Sequence, residues 1–190
     1  MTSVQTPVGI LSFPNLFTPR PRAPGGEPVY QCSLLFDQAA QKDPAYQALR
    51  KAVAECIDQT WGPGKSQDRA FLATLKTPFR DTAEKKYKGY EMPGGKFISP
   101  WTKKRPGVID ARKNEITTPE DVWPGQGVRA MVSVFSYTTP RLGVSFGLDS
   151  IQVCRVDGER LDGRVDAKDA FSEYTGPGAA AVMADEDVPF

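Results

Sequence analysis

Between Lys76 and Lys113 the chain places eleven basic residues against four acids, Asp81, Glu84, Glu91 and Asp110. Five aromatic rings, Phe79, Tyr87, Tyr90, Phe97 and Trp101, are threaded through the same stretch. The densest mixtures are KKYKGY (85–90) and PWTKKRPG (100–107). Cations bind phosphate oxygens without regard to base. Flat rings stack on any unpaired base, each stack contributing ~1–3 kcal/mol. The two together are what a surface for single-stranded nucleic acid requires. On this reading Lys85, Lys86, Lys88, Lys103, Lys104 and Arg105 meet phosphates, and Tyr87, Tyr90 and Trp101 stack on bases. A solvated lysine-rich surface has the same composition, with Phe97 or Trp101 in the core, so the elements that carry these residues decide the matter.

Other chemistries are poorly provided for. The chain has no histidine, which removes the commonest general base and zinc ligand. Its three cysteines, Cys32, Cys56 and Cys154, are far apart and odd in number. They read as reduced thiols of a cytosolic protein rather than a disulfide framework or a zinc site, and no cofactor or metal is expected. Glu84-Lys85-Lys86, with Asp68 or Asp81 before it, has the spacing of a Mg²⁺-dependent nuclease. That motif belongs on an apolar strand, whereas DTAEKKYKGY is polar and loop-like. GPGK (62–65) lacks the spacing of a phosphate-binding loop and reads as a helix stop.

The positioning elements are mostly strands. Val8 to Phe17 reads as a strand broken at Pro14, followed by an exposed Pro/Gly/Arg-rich loop (18–28) and a second strand, VYQCSLLF (29–36). Asp43-Pro44 opens a helix whose apolar face is Ala45, Leu49, Ala52, Val53, Cys56 and Ile57. Short strands are expected at 95–101 and 107–110. The run 127–139 alternates: Val128, Ala130, Val132 and Val134 share one face, and Arg129, Met131, Ser133, Phe135 and Tyr137 the other. If that second face is an open groove, Arg129 is a phosphate contact and Phe135 and Tyr137 are stacking rings; if it packs on the helix, they are core. After a turn at 140–143, a strand at 144–156 returns, and Gly147 suggests a bulge. The pattern predicts a mostly β, α+β chain: an OB-fold-like five-stranded barrel with loop insertions and one main helix. No apolar run approaches the ~20 residues of a membrane span, and MTSVQTPVGI lacks the pattern of a signal peptide.

The charge is segregated. From Thr175 onward the only charged side chains are Asp185, Glu186 and Asp187, so a net charge of +1 for the chain becomes +4 for residues 1–174. The division predicted is a folded domain over 1–174 and a flexible tail over 175–190, with a small-residue linker reaching on the order of 20 Å. The tail ends ADEDVPF (184–190). Carboxylates followed by an apolar ring suit a partner pocket with a basic rim, which makes Asp185, Glu186, Asp187, Pro189 and Phe190 candidate docking residues.

This ending resembles the acidic, Pro-Phe-terminated tips of bacterial single-stranded DNA-binding proteins. The body is similar to a phage family of single-stranded DNA-binding proteins with an OB-fold. The similarity is carried by SFPNLF (12–17), VYQCSLLF (29–36), PGVID (106–110), the run from Val122 to Gly163 and DAF (169–171). The resemblance implies a non-enzymatic phage protein in the cytoplasm of an infected bacterium. It would coat and protect single-stranded DNA without strong sequence preference, self-associating on DNA or not, during replication, recombination and repair. Its tip would recruit replication or recombination proteins. A phage structural or interaction protein sharing the barrel is the alternative.

Overall fold

The computed structural model describes residues 3–165, 170–173 and 175. In chain order the strands are β1 (Ser3–Gln5), β2 (Gly9–Pro21), β3 (Pro28–Phe36), β4 (Arg80–Asp81), β5 (Lys96–Ile98), β6 (Trp101–Thr102), β7 (Gly107–Ile109), β8 (Gly127–Tyr137) and β9 (Gly143–Arg155). Two α-helices, α1 (Pro44–Trp61) and α2 (Arg69–Thr74), lie between β3 and β4. β8 pairs with β2, β2 with β3, β3 with β6, β6 with β9, and β9 again with β8, so the strands form a closed ring. This is the mostly β architecture with one main helix that the sequence predicts.

The ring follows from the alternation of its strands. Val128, Ala130, Val132 and Val134 of β8 are buried, and Val144, Phe146, Leu148, Ile151 and Val153 of β9 join them. Leu11, Leu34 and Phe36 fill the interior from β2 and β3. In α1, Asp43 accepts a hydrogen bond from the Ala45 N–H at 2.8 Å, Pro44 takes the first turn, and Gly62 at φ 109° ends the helix. Its buried face is Tyr46, Leu49, Ala52, Val53 and Ile57. The Thr60 hydroxyl donates to Ser136 Oγ at 3.0 Å, which places the end of α1 on the face of β8 opposite Phe135 and Tyr137.

Three local features depart from the sequence reading. β2 does not break at Pro14 but continues to Pro21, taking up residues assigned to the loop, because register shifts after Ser12 and after Asn15 accommodate Pro14 and Pro19. The expected bulge at Gly147 sits instead at Asp149, where Met131 faces Ser150 but Val132 faces Leu148. A Cβ at Gly147 would lie 2.5 Å from Ser133 Oγ, so a larger residue there would turn that hydroxyl aside. The single strand expected over 95–101 is two, β5 and β6, separated by Ser99 and Pro100. Among the described residues no helix is long and apolar enough to cross a membrane. The three cysteines are free.

Candidate nucleic-acid interface

Three clefts run into one another across the outside of the ring. The first, of about 560 Å³, has Trp101 of β6 and Phe135 of β8 on its wall. These rings meet edge to face across β9, with centroids 5.8 Å apart and planes at 79°, near the glycine at position 147 that pairs with Trp101. The Arg22 guanidinium, delivered by the extended β2, lies 5.5 Å from the centre of the Trp101 ring. Partial burial lowers the Arg22 pKa, and the nearby Tyr137 opposes this; an arginine so placed stays cationic. Tyr137 closes the cleft at the far end, its ring lying over Gly143, where a Cβ would meet it at 2.3 Å. Lys76 is fixed beside it because its backbone bridges β9, accepting from the Val144 N–H at 3.1 Å and donating to Leu142 O at 3.0 Å.

Arg22, Arg80 and Ser99 are shared between the first cleft and the second, which is about 300 Å³. The floor here is polar: Ser33 Oγ and Ser99 Oγ are 3.1 Å apart, beside Gln31. Arg80 stacks 5.1 Å from the Phe97 ring and donates through Nε and Nη2 to Glu84 Oε2 at 2.9 and 2.6 Å. Lys85 lines the same cleft. Cys32 does too, but burial pushes its thiol up to about 12, so it is no nucleophile at neutral pH. Phe13 and Tyr87 then border both the second cleft and a third of about 320 Å³, which holds Asn15, Arg20 and Lys88. The whole is an open groove alternating cations with exposed aromatic edges.

The predicted residues divide. Trp101, Phe135, Tyr137, Lys85, Tyr87 and Lys88 come together along the groove. Tyr90 offers no stacking face: it is 3% exposed, packed against Phe97 at 5.4 Å in a small cluster with Leu35. Lys86 lines a shallow side depression beside Glu91 and Met92, which adjoins the second cleft at Lys85 and Tyr90. Lys103, Lys104 and Arg105 are exposed beside the turn end of the β2–β3 hairpin, outside the groove lining; Lys103 pairs with Glu27, and Arg105 lies 5.2 Å from the Phe17 ring. Arg129 is six residues along β8 from Phe135, on the order of 20 Å, and donates to Gln152 Oε1 at 2.8 Å. The docking residues Asp185, Glu186, Asp187, Pro189 and Phe190 lie outside the described residues, as does most of the predicted tail. Phe13, Arg20 and Arg22 also line the groove, although in the sequence the prolines around them signal a break and a loop.

The carboxylates of the nuclease alternative are occupied. Glu84 Oε2 holds Arg80, and its Oε1 accepts from the Asp81 N–H at 3.2 Å. The hydrogen bond from Arg80 is the main reason its carboxyl is held below the usual range. Asp81 takes Lys96 at 2.5 Å, and Asp68 takes Lys65 at 2.8 Å while capping α2 through the Phe71 N–H. Among the described residues no three metal-ligating side chains converge.

No curated protein matches this chain. Among solved structures it is similar to the single-stranded DNA-binding protein from bacteriophage Enc34 in complex with ssDNA. That match has 20% identity, covers 83% of this chain and 88% of that one, and has a TM-score of 0.61. A further structure of the Enc34 protein aligns at 23% identity over 90% of both chains, TM-score 0.60. The crystal structure of gp2.5, a single-stranded DNA-binding protein encoded by bacteriophage T7, aligns at 14% identity over 87% of this chain and 98% of that one, TM-score 0.58. At these identities the structures establish a shared fold, and the family is established by sequence: residues 2–181 match the family described as Enterobacter phage Enc34, ssDNA-binding protein, to which this chain belongs.

Proposed function

We propose that this chain is a phage protein that binds single-stranded DNA along the three-cleft groove, in the cytoplasm of the infected host. It coats transient single strands during replication, recombination or repair, without strong preference for sequence and without catalysing a reaction. The observation that carries the reading is the alternation along one continuous groove: Trp101 and Phe135, then Arg22 and Arg80, then Phe13 and Tyr87, then Arg20 and Lys88. Cations spaced between exposed rings suit a chain of phosphates with unpaired bases. A duplex would keep its bases stacked away from these rings.

A salt titration with oligo-dT tests this. With four to six groove cations meeting phosphates, log affinity falls against log salt with a slope of roughly −3 to −4. A barrel serving only structure or assembly binds nothing even at low salt, and that result overturns the proposal.

The acids of the tail extend the reading. Asp185, Glu186 and Asp187, with Pro189 and Phe190, would serve as a docking tip for replication or recombination proteins. The same three negative charges compete with phosphate for a body of net charge +4. Removing residues 184–190 is therefore expected to tighten oligo-dT binding several-fold at low salt, an effect that fades as salt screens it. Equal affinities of the two chains at low salt would remove the competition from the account.

A further inference from the structure

Phe13 has a left-handed backbone, φ +47°, which bulky L residues adopt only at an energetic cost. It sits at the register shift between Ser12 and Asn15 of β2, and its ring is half exposed. Its neighbours Ser12 and Leu16 are buried while Phe13 points out, its one contact with a core ring being a tilted one with Tyr90 at 6.5 Å and 48°. Tyr87, equally exposed, meets Phe13 edge to face at 5.1 Å and 76°. The pair borders both the second and the third cleft, so it forms a ridge across the groove. On one side of the ridge stand Arg22, Arg80 and Lys85, and on the other Arg20 and Lys88. A strand whose phosphates follow these cations must cross two upright rings.

The ridge is braced from the side of the third cleft, whose wall includes Pro124, Leu161 and Asp162. After β9, residues 157–165 form a strap that fastens to the 122–126 segment where the Leu161 N–H donates to Pro124 O at 2.9 Å. Leu161 packs against Gly89, where a Cβ would lie 2.6 Å from its Cδ1, and Glu159 pairs with Lys88 at 2.8 Å. Both contacts grip the 87–90 turn that carries Tyr87, closed by the Tyr90 N–H donating to Tyr87 O at 3.0 Å. Asp162, the acid of the third cleft, is paired with Arg160 at 2.8 Å.

We infer that Phe13 and Tyr87 are a wedge that enters between two consecutive bases of a bound single strand and unstacks them, with the strap holding its Tyr87 side in place. The inference rests on the single-stranded DNA reading above. Strain kept at an exposed ring, where packing does not require it, is the pattern of a residue placed for a ligand.

The test uses the full chain with oligo-dT carrying one 2-aminopurine pair, whose fluorescence rises on unstacking. Phe13→Gly removes the ring and the backbone strain together, Phe13→Leu keeps an apolar side chain without a π-face, and Phe13→Trp restores one. Phe13→Gly and Phe13→Leu are expected to weaken binding roughly 5- to 150-fold, the equivalent of one base–aromatic stack, and to lose the fluorescence rise. The Tm of Phe13→Gly stays level or rises, and Phe13→Trp keeps both signals. If the Gly and Leu variants bind like the parent while Trp101→Ala binds weakly, the wedge is wrong and the groove reading stands. If Trp101→Ala also binds like the parent, the groove reading itself fails. A loss of binding that merely follows a fall in Tm makes Phe13 a packing residue and overturns the inference.

Discussion

Replacing Trp101 by alanine is expected to lower affinity for oligo-dT on the order of 100-fold, with little change in stability. Two contributions combine. One base–aromatic stack is lost, ~1–3 kcal/mol. The Arg22 guanidinium also loses the ring that orients it, 5.5 Å away, a cation–π contact of ~0.5–1 kcal/mol at an exposed site. The fold tolerates the change because Trp101 joins the sheet through its backbone, opposite Gln31 and Gly147, and its side chain is only partly buried. Fluorescence anisotropy with a labelled oligonucleotide reads the affinity, and Trp101→Phe, which keeps a π-face, should recover most of it. A Trp101→Ala protein that binds within about threefold of the parent would place the strand elsewhere on the molecule.

Arginine suits a groove of cations and rings better than lysine does. A guanidinium is planar and more weakly hydrated than an ammonium, so it can lie on a ring and still present its N–H fork to a phosphate. Arg22 over Trp101 is arranged this way; Arg80, over Phe97, already gives Nε and Nη2 to Glu84 and has its remaining N–H groups for a phosphate. The lysines of KKYKGY and TKKR are partly committed elsewhere: Lys88 to Glu159 and Lys103 to Glu27. Exposed pairs of this kind add little stability, and a phosphate can displace the carboxylate from Lys88, which borders the third cleft. Lys103 has no such opportunity within the groove.

What the sequence made legible follows from how local each signal is. α1 was readable because a cap, an apolar stripe and a terminating glycine all lie within one stretch of chain. β8 was readable because strict alternation left Val128, Ala130, Val132 and Val134 no choice of face. The groove residues on that strand, Phe135 and Tyr137, came with it. The prolines of β2 misled because proline ordinarily ends a strand, while here two register shifts absorb Pro14 and Pro19, and Pro21 ends the strand opposite Pro28. Those shifts turn Phe13 outward and carry Arg22 to Trp101, so the same misreading hid both residues. Tyr90 was illegible for a different reason: two tyrosines three residues apart in KKYKGY are equivalent by composition. Only the packing of Phe97 and Leu35 decides that Tyr87 is exposed and Tyr90 is not. The grip of residues 157–165 on the 87–90 turn is a long-range contact with no local pattern at all.

Gly125 is where that grip can be broken by one atom. Its N–H donates to Leu11 O at 2.8 Å, and the next residue, the fully buried Gln126, receives the Leu11 N–H at 2.9 Å. The strap crosses directly over it. A Cβ at Gly125 would lie 2.0 Å from Glu159 O, and one at Gly158 would lie 1.9 Å from Gly125 O. These neighbours are backbone on both sides, so no side chain can swing away to make room. Gly125 also sits at φ +116°, where alanine is strained even in open space. Gly125→Ala is therefore expected to destabilise the protein by on the order of 4 kcal/mol, a fall in Tm of about 8–16 °C for a chain of this size. The strap is the element that can lift, so cleavage by trypsin within residues 157–165 should accelerate before the ring of strands opens. Lifting it releases Lys88 from Glu159 and Gly89 from Leu161, and with them the turn carrying Tyr87. Below the lowered Tm, DNA affinity should fall by no more than removal of the Tyr87 ring itself produces. A Tm within about 2 °C of the parent would mean that the two backbones are not packed as described.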